Sequence, residues 1–317
     1  MSIGAVVIGR NEAQHLRHLA DCLRAFPFDE IVYVDSNSSD ASVAIARAAG
    51  WRVVTLLPAG VISAAAGRHV GTLFCQTDWI LYLDADILPN LSVIAQWIAY
   101  LEKCDPTVVG LTGYITDVFD STRRDHARLH HVRHGEQALW FAIVVLLKRQ
   151  AVLAAGNWNP NVIAEEEWDL DARLRKRNGR VIYFHGEAAR HFTDYAPSWL
   201  VILRFLSLWD CANPRNGSAG YVLRSAFEAG SFWQAFTVRP EFFIVPLGTL
   251  MLAALGWFWD WRSMVAGFLL LYVWVTVRRG PRYFALCYVG VVQMVVGLFR
   301  YRKNVVCYRV LDTSAPQ

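Results

Sequence analysis

The sequence predicts an α/β domain built on a mostly parallel sheet, followed by an α-helical membrane region. Up to about residue 239, apolar stretches alternate with polar stretches that have the pattern of helices. Beyond that point come three apolar runs that are almost free of charged residues. Of all 317 residues 55% are hydrophobic and 18% are charged, whereas about a quarter of the residues in soluble domains are charged. This composition excludes a disordered or collagen-like chain.

Strands and helices alternate in the first part of the chain at the spacing of β-α-β units. A fully apolar stretch at residues 3–9 is typical of a buried strand, and a helix-patterned segment follows it. We therefore expect a mostly parallel sheet with helices on both faces. Ligands of such sheets bind at the carboxyl ends of the strands. The predicted strands are IGAVVIG, IVYVD, WRVVTL and WILYLDAD.

Three nearly uncharged runs after Pro240 predict two or three membrane helices. They cover residues 242–258, 264–277 and 283–299, each slightly shorter than the roughly 20 residues that span a bilayer. A buried helical core is the alternative, but aromatic residues and arginines at the ends of the runs favour the membrane. Because arginines should remain on the cytoplasmic side, we favour a hairpin plus a third segment that is in-plane or re-entrant.

The change in composition divides the chain into four parts. We expect an α/β domain at residues 1–197 and amphipathic or interfacial helices at 198–240. The membrane helices at 241–303 and a C-terminal tail at 304–317 follow. The stretches SWLVILRFLSLW and YVLRSAFEAGSFWQAF belong to the second part, and the latter, residues 221–236, has the pattern of one weakly amphipathic helix. Each stretch either lies in the membrane interface or packs on the α/β domain.

Charge and cysteine content argue against two classes of function. The formal net charge of +4 is too small to indicate nucleic acid as a partner. The six cysteines form no CxxC pair, which argues against a zinc or redox site. Their scatter through apolar contexts favours reduced thiols in a protein that faces the cytosol. The N-terminal residues lack the basic region of a signal peptide.

The fourth predicted strand ends in two acidic residues, Asp84 and Asp86, separated by Ala85. Two carboxylates so close together repel each other unless a cation lies between them, and Mg²⁺ or Mn²⁺ prefers such oxygen ligands. A solvated turn at the end of the strand is the alternative. The buried strand before the motif favours a divalent metal site.

Further polar residues lie near the ends of other predicted strands and helices. Asp35 ends the second strand, where a carboxylate can accept hydrogen bonds from a nucleotide base or ribose. Arg10 and Glu12 follow the first strand, where an arginine can bind phosphate and a glutamate can bind ribose hydroxyls. Arg68 either contacts a pyrophosphate or pairs with one of the aspartates at the strand ends.

A second acidic cluster, Glu165, Glu166 and Glu167, lies at the start of a predicted helix over residues 168–178. The helix dipole favours negative charge there, which accounts for one or two of the three residues. The functional alternative makes one of them a general base. A carboxylate in a closed cleft can have its pKa raised toward neutrality and then deprotonate an alcohol.

Together these segments resemble the family 2 glycosyltransferases, whose catalytic domain has the Rossmann-like GT-A fold. The matching motifs occur in the family's order over about the first 195 residues. RNE follows the first strand, and VDSNSSD and the DxD of LYLDAD come next. GNWNP and EEEWDLDARLRKRNG then resemble the family's GGF-D and ED-x-DL-xx-RL-xxxG segments.

The resemblance implies a role for each matching residue. Asp86 is implied to be the direct metal ligand, with Asp84 beside it on the metal, donor sugar or nucleotide. His191 resembles a histidine that some members use as a further metal ligand, and a packed or surface histidine is the alternative. The resemblance makes Asp35 the carboxylate that binds the base or ribose. With the residues argued above, the candidate nucleotide-sugar-binding set is Arg10, Glu12, Asp35, Arg68 and Asp84.

The catalytic base is also implied by the resemblance. Glu167 stands where the family usually has the aspartate of its ED pair, which is the base. Because this position departs from the family's usual residue, Glu166 is the second candidate.

The resemblance implies an inverting, Mn²⁺- or Mg²⁺-dependent transfer of a sugar from a nucleotide-sugar, with UDP the commonest nucleotide in the family. The QxxRW motif of processive synthases does not occur in the sequence, which favours a non-processive enzyme. The expected acceptor is a membrane-bound polyprenyl-linked sugar, polyprenyl phosphate or glycolipid. This is typical of bacterial exopolysaccharide or surface-glycan assembly at the inner membrane, with the catalytic domain in the cytoplasm. A nucleotidyltransferase and a non-catalytic membrane scaffold are the alternatives.

Overall fold

The computed structural model of the chain contains two compact units, one α/β and one helical. The structure describes residues 1–119, 126–128, 133–138, 141, 144–193, 217–258, 260–279 and 281–311. The α/β unit combines Met1–Pro197 with Arg302–Gln317, and the helical unit covers Ser198–Tyr301.

A ten-stranded sheet with helices packed against it forms the described part of the α/β unit. The strands are β1 (Ile3–Gly9), β2 (Glu30–Asp35), β3 (Arg52–Leu56), β4 (Trp79–Asp84), β5 (Ile87–Pro89), β6 (Val108–Val118), β7 (His126–Arg128), β8 (Val144–Lys148), β9 (Arg180–Phe192) and β10 (Tyr308–Leu311). The helices are α1 (Ala13–Arg24), α2 (Ser42–Ala48), α3 (Ala64–Phe74), α4 (Leu91–Leu101), α5 (Arg149–Ala154) and α6 (Glu166–Lys176).

The central strand β1 is buried on both faces of the sheet. Ala5 and Val7 belong to the core layer that includes residues of α1 and α4, while Val6 and Ile8 belong to the layer that includes residues of α3 and α6. A strand covered on both sides is apolar throughout, which explains why IGAVVIG does not alternate with polar residues. Helix α3 approaches β1 closely because a Cβ at Gly71 would collide with Val6.

The sheet is mixed rather than mostly parallel, which corrects the prediction. The strand order is β10-β3-β2-β1-β4-β8-β6-β9-β5, with β7 beside β6. Strands β3, β2, β1 and β4 are parallel as predicted, whereas β8 is antiparallel to both of its neighbours, β4 and β6. Beyond α4, strands β6, β7 and β8 follow one another, and the described residues between them contain no helix that could return the chain for parallel pairing.

The end of the chain differs from the predicted tail at residues 304–317. Tyr308–Leu311 forms β10, which pairs antiparallel with β3 and covers the edge of the sheet. The residues before it are also held, because the backbone N–H of Asn304 donates to Asn161 Oδ1 at 2.5 Å. The segment that follows the helical unit is therefore part of the α/β unit.

The helical unit contains, in its described part, α7 (Ser218–Ala229), α8 (Phe232–Val238), α9 (Glu241–Phe258), α10 (Trp261–Arg279) and α11 (Pro281–Arg300). The prediction of one helix over residues 221–236 is wrong. Gly230 has a φ of +64° and ends α7, so two helices replace one. The predicted interfacial stretch SWLVILRFLSLW lies outside the described residues.

In the described part of the chain, no single helix is both long enough and apolar enough to cross a bilayer. Two consecutive helical segments, Phe232–Val238 and Phe243–Phe258, are together long and apolar enough, judged by length and composition alone. The chain bends by 82° between them. The predicted two or three membrane helices are therefore not confirmed.

Candidate functional site

The carboxyl ends of the parallel strands bring two of the predicted acidic residues to one edge of the sheet. In the register of the sheet Asp35 lies beside Gly9, and Asp84 lies beside Ile8. Asp35 is 1% exposed and accepts a hydrogen bond at Oδ2 from the backbone N–H of Ser38 at 3.1 Å. This carboxylate therefore also holds the turn that follows β2.

The loop after β1 places Arg10 and Glu12 at the same edge. Arg10 is exposed, and Asn11 adopts a φ of +58° that turns the chain into α1. Glu12 Oε2 contacts His15 Nδ1 at 2.8 Å. The His15 ring stacks on Phe192 with 6.0 Å between the ring centroids, so the start of α1 meets the end of β9.

Arg68, at 1% exposure, lies at the centre of what we call the Arg68 cluster, with Asp84, Glu166 and Trp158. Its Nη2 donates to Asp84 Oδ1 at 2.7 Å, and its Nη1 donates to Glu166 Oε1 at 2.5 Å. The guanidinium carbon lies 5.3 Å from the centroid of the Trp158 ring. Of the two alternatives for Arg68, the structure shows the ion pair with a strand-end aspartate.

The charges of the cluster shift the pKa values of its members. Burial acts to lower the pKa of Arg68, but attraction to Asp84 and Glu166 outweighs it and the pKa rises. Burial raises the pKa of Asp84 to about 6, and the Asp86 carboxylate adds to the rise while Arg68 opposes it. The guanidinium does not fully offset the burial and repulsion that act on Asp84, which favours a bound cation nearby.

Helix α6 positions the second acidic cluster, and it begins at Glu166, two residues before the predicted start. Glu165 precedes the helix with a φ of +63°. Glu166 and Glu167 are 6% and 4% exposed in the first turn. Glu166 accepts a hydrogen bond from Arg68, and the charge of Glu167 also acts on that guanidinium.

Two residues that the sequence analysis did not single out support the Arg68 cluster. Trp158 is fully buried and packs under the guanidinium of Arg68. Arg173 donates from Nη1 to the carbonyl oxygens of Ala155 and Asn157, at 2.6 Å each, and so ties α6 to the loop that carries Trp158. Trp158 lies in the motif segment GNWNP and Arg173 lies in EEEWDLDARLRKRNG, and these positions could have indicated a role at the site.

Asp86, His191 and Asp117 form a second group, which we call the His191 cluster. His191 Nε2 lies 3.3 Å from Asp86 Oδ2, and His191 Nδ1 lies 2.7 Å from Asp117 Oδ1. The sheet fixes this arrangement, because His191 is the register partner of Asp117 on β6 and of Ile87 on β5. Asp117 was missed by the sequence analysis, although an acidic residue in the largely apolar stretch GYITDV is a signal.

Across the residues that the structure describes, no three His, Cys, Asp or Glu side chains form a ready metal-binding group. Asp86 and Asp117 face opposite nitrogens of His191, so at most Asp86 and Nε2 can share one cation. Their 3.3 Å separation is close to the roughly 3 Å between adjacent ligands of an octahedral ion such as Mg²⁺. Mg²⁺ commonly has one or two carboxylate ligands and completes its shell with water and phosphate.

A cavity of about 590 Å³ opens beside Asp86, between α1 and β5. Its lining includes His15, His18 and Phe192 together with apolar residues. This volume is in the range of about 300–1,000 Å³ that ligand pockets have. The edge of the sheet therefore combines acidic residues, a buried guanidinium and space for a ligand.

Comparison with known proteins agrees with this architecture. Residues 5–151 match the model of the family described as glycosyl transferase family 2. A protein of Rickettsia bellii (strain RML369-C), described as an uncharacterized glycosyltransferase, is 33% identical over 84 residues. That match covers 26% of this chain and 27% of the relative, so the chain spans about a quarter of the length of this curated relative.

Two solved structures share the fold at low sequence identity. S. aureus TarS 1-349 in complex with UDP-GlcNAc is 12% identical with a TM-score of 0.51, and the match covers 94% of this chain and 89% of that one. GalNAc-T7 with UDP, GalNAc and Mn²⁺ is 12% identical with a TM-score of 0.52, over 75% of this chain and 56% of that one. The predicted GT-A-like α/β fold is confirmed by these two structures.

Proposed function

We propose that this protein transfers a sugar, with inversion, from a nucleotide-sugar to a hydroxyl acceptor, and that the reaction depends on Mn²⁺ or Mg²⁺. The single observation that carries the proposal is that Arg68 joins Asp84 to Glu166 where the parallel strands end. The family 2 domain and the nucleotides bound by TarS and GalNAc-T7 support a UDP-sugar as donor.

Donor binding is assigned to the residues at the ends of β1 and β2. Asp35 is buried at the carboxyl end of β2 and accepts from the base or ribose, and Glu12 accepts from ribose hydroxyls. Arg10 is exposed at the end of β1 and binds the diphosphate. Asp84 contacts the donor sugar or the nucleotide.

The metal is assigned to Asp86 and His191 Nε2, with Asp84 close by. The two ligand atoms are separated by a distance that suits adjacent positions on one ion, and a diphosphate supplies further oxygens. When bound, the cation acts as a Lewis acid that neutralises charge developing on the departing nucleoside diphosphate.

The chemical step is assigned to Glu167, with Glu166 as the alternative base. Glu167 accepts the proton of the acceptor hydroxyl, and the acceptor oxygen forms a bond to the anomeric carbon of the donor sugar. The bond from that carbon to the diphosphate oxygen breaks, and the nucleoside diphosphate leaves with the bonding electrons. Glu167 is favoured because it stands where the family usually has the aspartate of its ED pair.

Arg68 is assigned a positioning role rather than direct contact with the leaving group. Its two donors are directed at Asp84 and Glu166 and it is almost fully buried. It therefore fixes the first acidic residue of the DxD segment relative to the start of α6. Such fixed geometry supplies much of the acceleration when the donor is already activated.

A membrane-bound acceptor is the second part of the proposal. Large apolar side chains of α9 and α10, among them Leu250, Trp257, Leu270 and Val277, are exposed by 68% or more. Exposed apolar patches of this kind mark contact with a membrane or another protein. We assign the protein to the cytoplasmic face of the bacterial inner membrane, with a polyprenyl-linked or glycolipid acceptor of surface-glycan or exopolysaccharide synthesis.

The proposal is tested by a screen of nucleotide-sugars with the purified full chain. Release of free nucleotide is measured with Mn²⁺ or Mg²⁺, with EDTA, and with or without a polyprenyl-linked acceptor. We expect metal-dependent release for one nucleotide class, stimulated by the lipid acceptor. Metal-dependent release that only a water-soluble acceptor stimulates would contradict the membrane part alone, and no release from any donor would contradict the transferase.

A further inference from the structure

We propose that Asp117 is a positioning residue for the metal site, because it holds His191 in the tautomer whose Nε2 can bind a cation next to Asp86. The inference rests on the proposed function, since it concerns the metal assigned there. In a neutral imidazole one ring nitrogen carries the proton and the other carries the lone pair. The partner of Nδ1 therefore decides what Nε2 can do.

The contact between Asp117 and His191 selects one tautomer. Asp117 Oδ1 lies 2.7 Å from Nδ1, and an ionised carboxylate can only accept a hydrogen bond. The proton of a neutral ring is therefore on Nδ1, and the lone pair of Nε2 points toward Asp86 Oδ2 at 3.3 Å. Two acceptors that face each other at this distance are stabilised by a cation between them.

The backbone makes this arrangement rigid. Asp117 and His191 are register partners in the parallel pair of β6 and β9, and both strands are long, with 11 and 13 residues. The Asp117 side chain is 10% exposed. Burial of a carboxylate in a largely apolar strand is costly unless it is paired, and His191 supplies that pairing.

Carboxylates behind metal-binding histidines orient the ring and raise its basicity, and their loss typically weakens metal affinity by about 10–100-fold. Asp117 has this placement relative to His191, whereas Asp86 has the placement of a direct ligand. The two aspartates of the His191 cluster therefore have different effects on a bound metal.

The first test is a titration of the full chain with Mn²⁺, with and without UDP, in which free Mn²⁺ is followed by electron paramagnetic resonance. We expect Asp117→Ala to weaken Mn²⁺ binding by about 10–100-fold. The double variant Asp117→Ala/His191→Ala is expected to bind no more weakly than His191→Ala alone, because Asp117 acts through His191. Asp105→Ala removes the same charge at an exposed position before β6 and is expected to bind as the wild type does.

Three results would overturn the inference. Wild-type affinity in Asp117→Ala would show that the carboxylate has no effect on the metal. Additive losses in the double variant would show that Asp117 acts independently of His191. Failure of the wild type to bind Mn²⁺ even with UDP would remove the proposed metal and this inference together, whereas the first two results leave the transferase proposal intact.

The second test reads the tautomer without metal. Nitrogen-15 spectra of the histidine rings are recorded for the wild type and for His191→Ala, and the difference assigns His191 among the nine histidines. We expect the proton on Nδ1 in the wild type, and loss of this preference in Asp117→Ala. Asp117→Asn offers an amide oxygen to the same N–H and is expected to retain the tautomer and most of the Mn²⁺ affinity. A proton on Nε2 in the wild type would contradict the proposal.

Discussion

The Arg68 cluster and the His191 cluster contain the two aspartates of the DxD segment, and they differ in how completely the protein satisfies them. In the first, a guanidinium with 1% exposure donates to two carboxylates and packs on an indole. In the second, two carboxylates flank one imidazole. In the Arg68 cluster the carboxylates accept hydrogen bonds from a protein side chain. In the His191 cluster, Asp86 and His191 Nε2 can bind a cation.

This difference separates stability from function. Removing one partner of a buried ion pair leaves an uncompensated charge and costs about 3–5 kcal/mol. Removing a partly exposed carboxylate from a site crowded with acceptors relieves repulsion as well as losing contacts. We therefore expect substitutions in the Arg68 cluster to lower the free energy of unfolding, and substitutions in the His191 cluster to lower activity.

The largest effect is expected for Asp86→Ala, which removes the aspartate assigned to the metal. Metal-dependent turnover should be abolished, while the unfolding midpoint stays close to that of the wild type. Nucleotide release at saturating Mn²⁺ and thermal unfolding without metal give the two values. Wild-type turnover in this variant would contradict the functional role of the His191 cluster, because Asp86 would then not be needed for the reaction.

Glu167→Gln should reduce turnover by about 10²–10⁴-fold, the usual contribution of a general base. Binding of UDP should change little, because the substituted group is assigned to the acceptor hydroxyl. Glu166→Gln is the matched control on the same turn of α6, and its main effect should be on stability since Glu166 pairs with Arg68. If Glu166→Gln instead loses turnover while remaining folded, the assignment of the base is reversed.

Arg68→Met should destabilise the α/β unit by about 3–5 kcal/mol, because the buried carboxylate of Glu166 loses its partner. Asp84, whose side chain is 32% exposed, loses the same partner. Arg52→Met is the control, since Arg52 is 46% exposed in its pair with Glu30 and should change stability by less than about 1 kcal/mol. Urea unfolding monitored by tryptophan fluorescence measures both. Equal small effects would show that the Arg68 cluster is not a structural unit.

The sequence was sufficient for features that depend on local pattern. The apolar runs of β1, β2, β3 and β4 and the helices between them predicted four parallel strands, and chain direction then placed Asp35 and Asp84 at one edge. Contacts between residues that are far apart in the sequence could not be predicted from local pattern. His191 and Asp117 are 74 residues apart and meet only through the register of β9 on β6.

The same limit applies to Arg68 and to the end of the chain. Arg68 is 98 residues from Glu166, so the sequence left both alternatives for its partner open. Strand β10 reaches β3 after more than 250 intervening residues, and its four residues have no pattern that distinguishes them from a tail. Strand pairing at such separations is specified by the packed core rather than by local propensity.

The smallest expected effect on stability is that of Asp171→Asn. Asp171 can be compared with the carboxylates of the Arg68 cluster, because it is also a carboxylate paired with a guanidinium, that of Arg175 on the same helix α6. It is 0% exposed, and Arg175 Nε lies 2.7 Å from its Oδ2. Burial raises the pKa of Asp171 to about 7, and Arg175 opposes the rise without cancelling it. The guanidinium of Arg175 is therefore not sufficient to keep Asp171 ionised below about pH 7.

The sign of the pH dependence follows from this raised pKa. Between about pH 4, where the unfolded aspartate ionises, and about pH 7, the folded chain binds the extra proton, so the contribution of Asp171 to stability falls as the pH rises. Asp171→Asn should lack this slope, which amounts to about 1 kcal/mol per pH unit. Urea unfolding of both proteins at pH 5, 6 and 7 measures the difference, and parallel curves would mean that Arg175 keeps Asp171 ionised throughout this range.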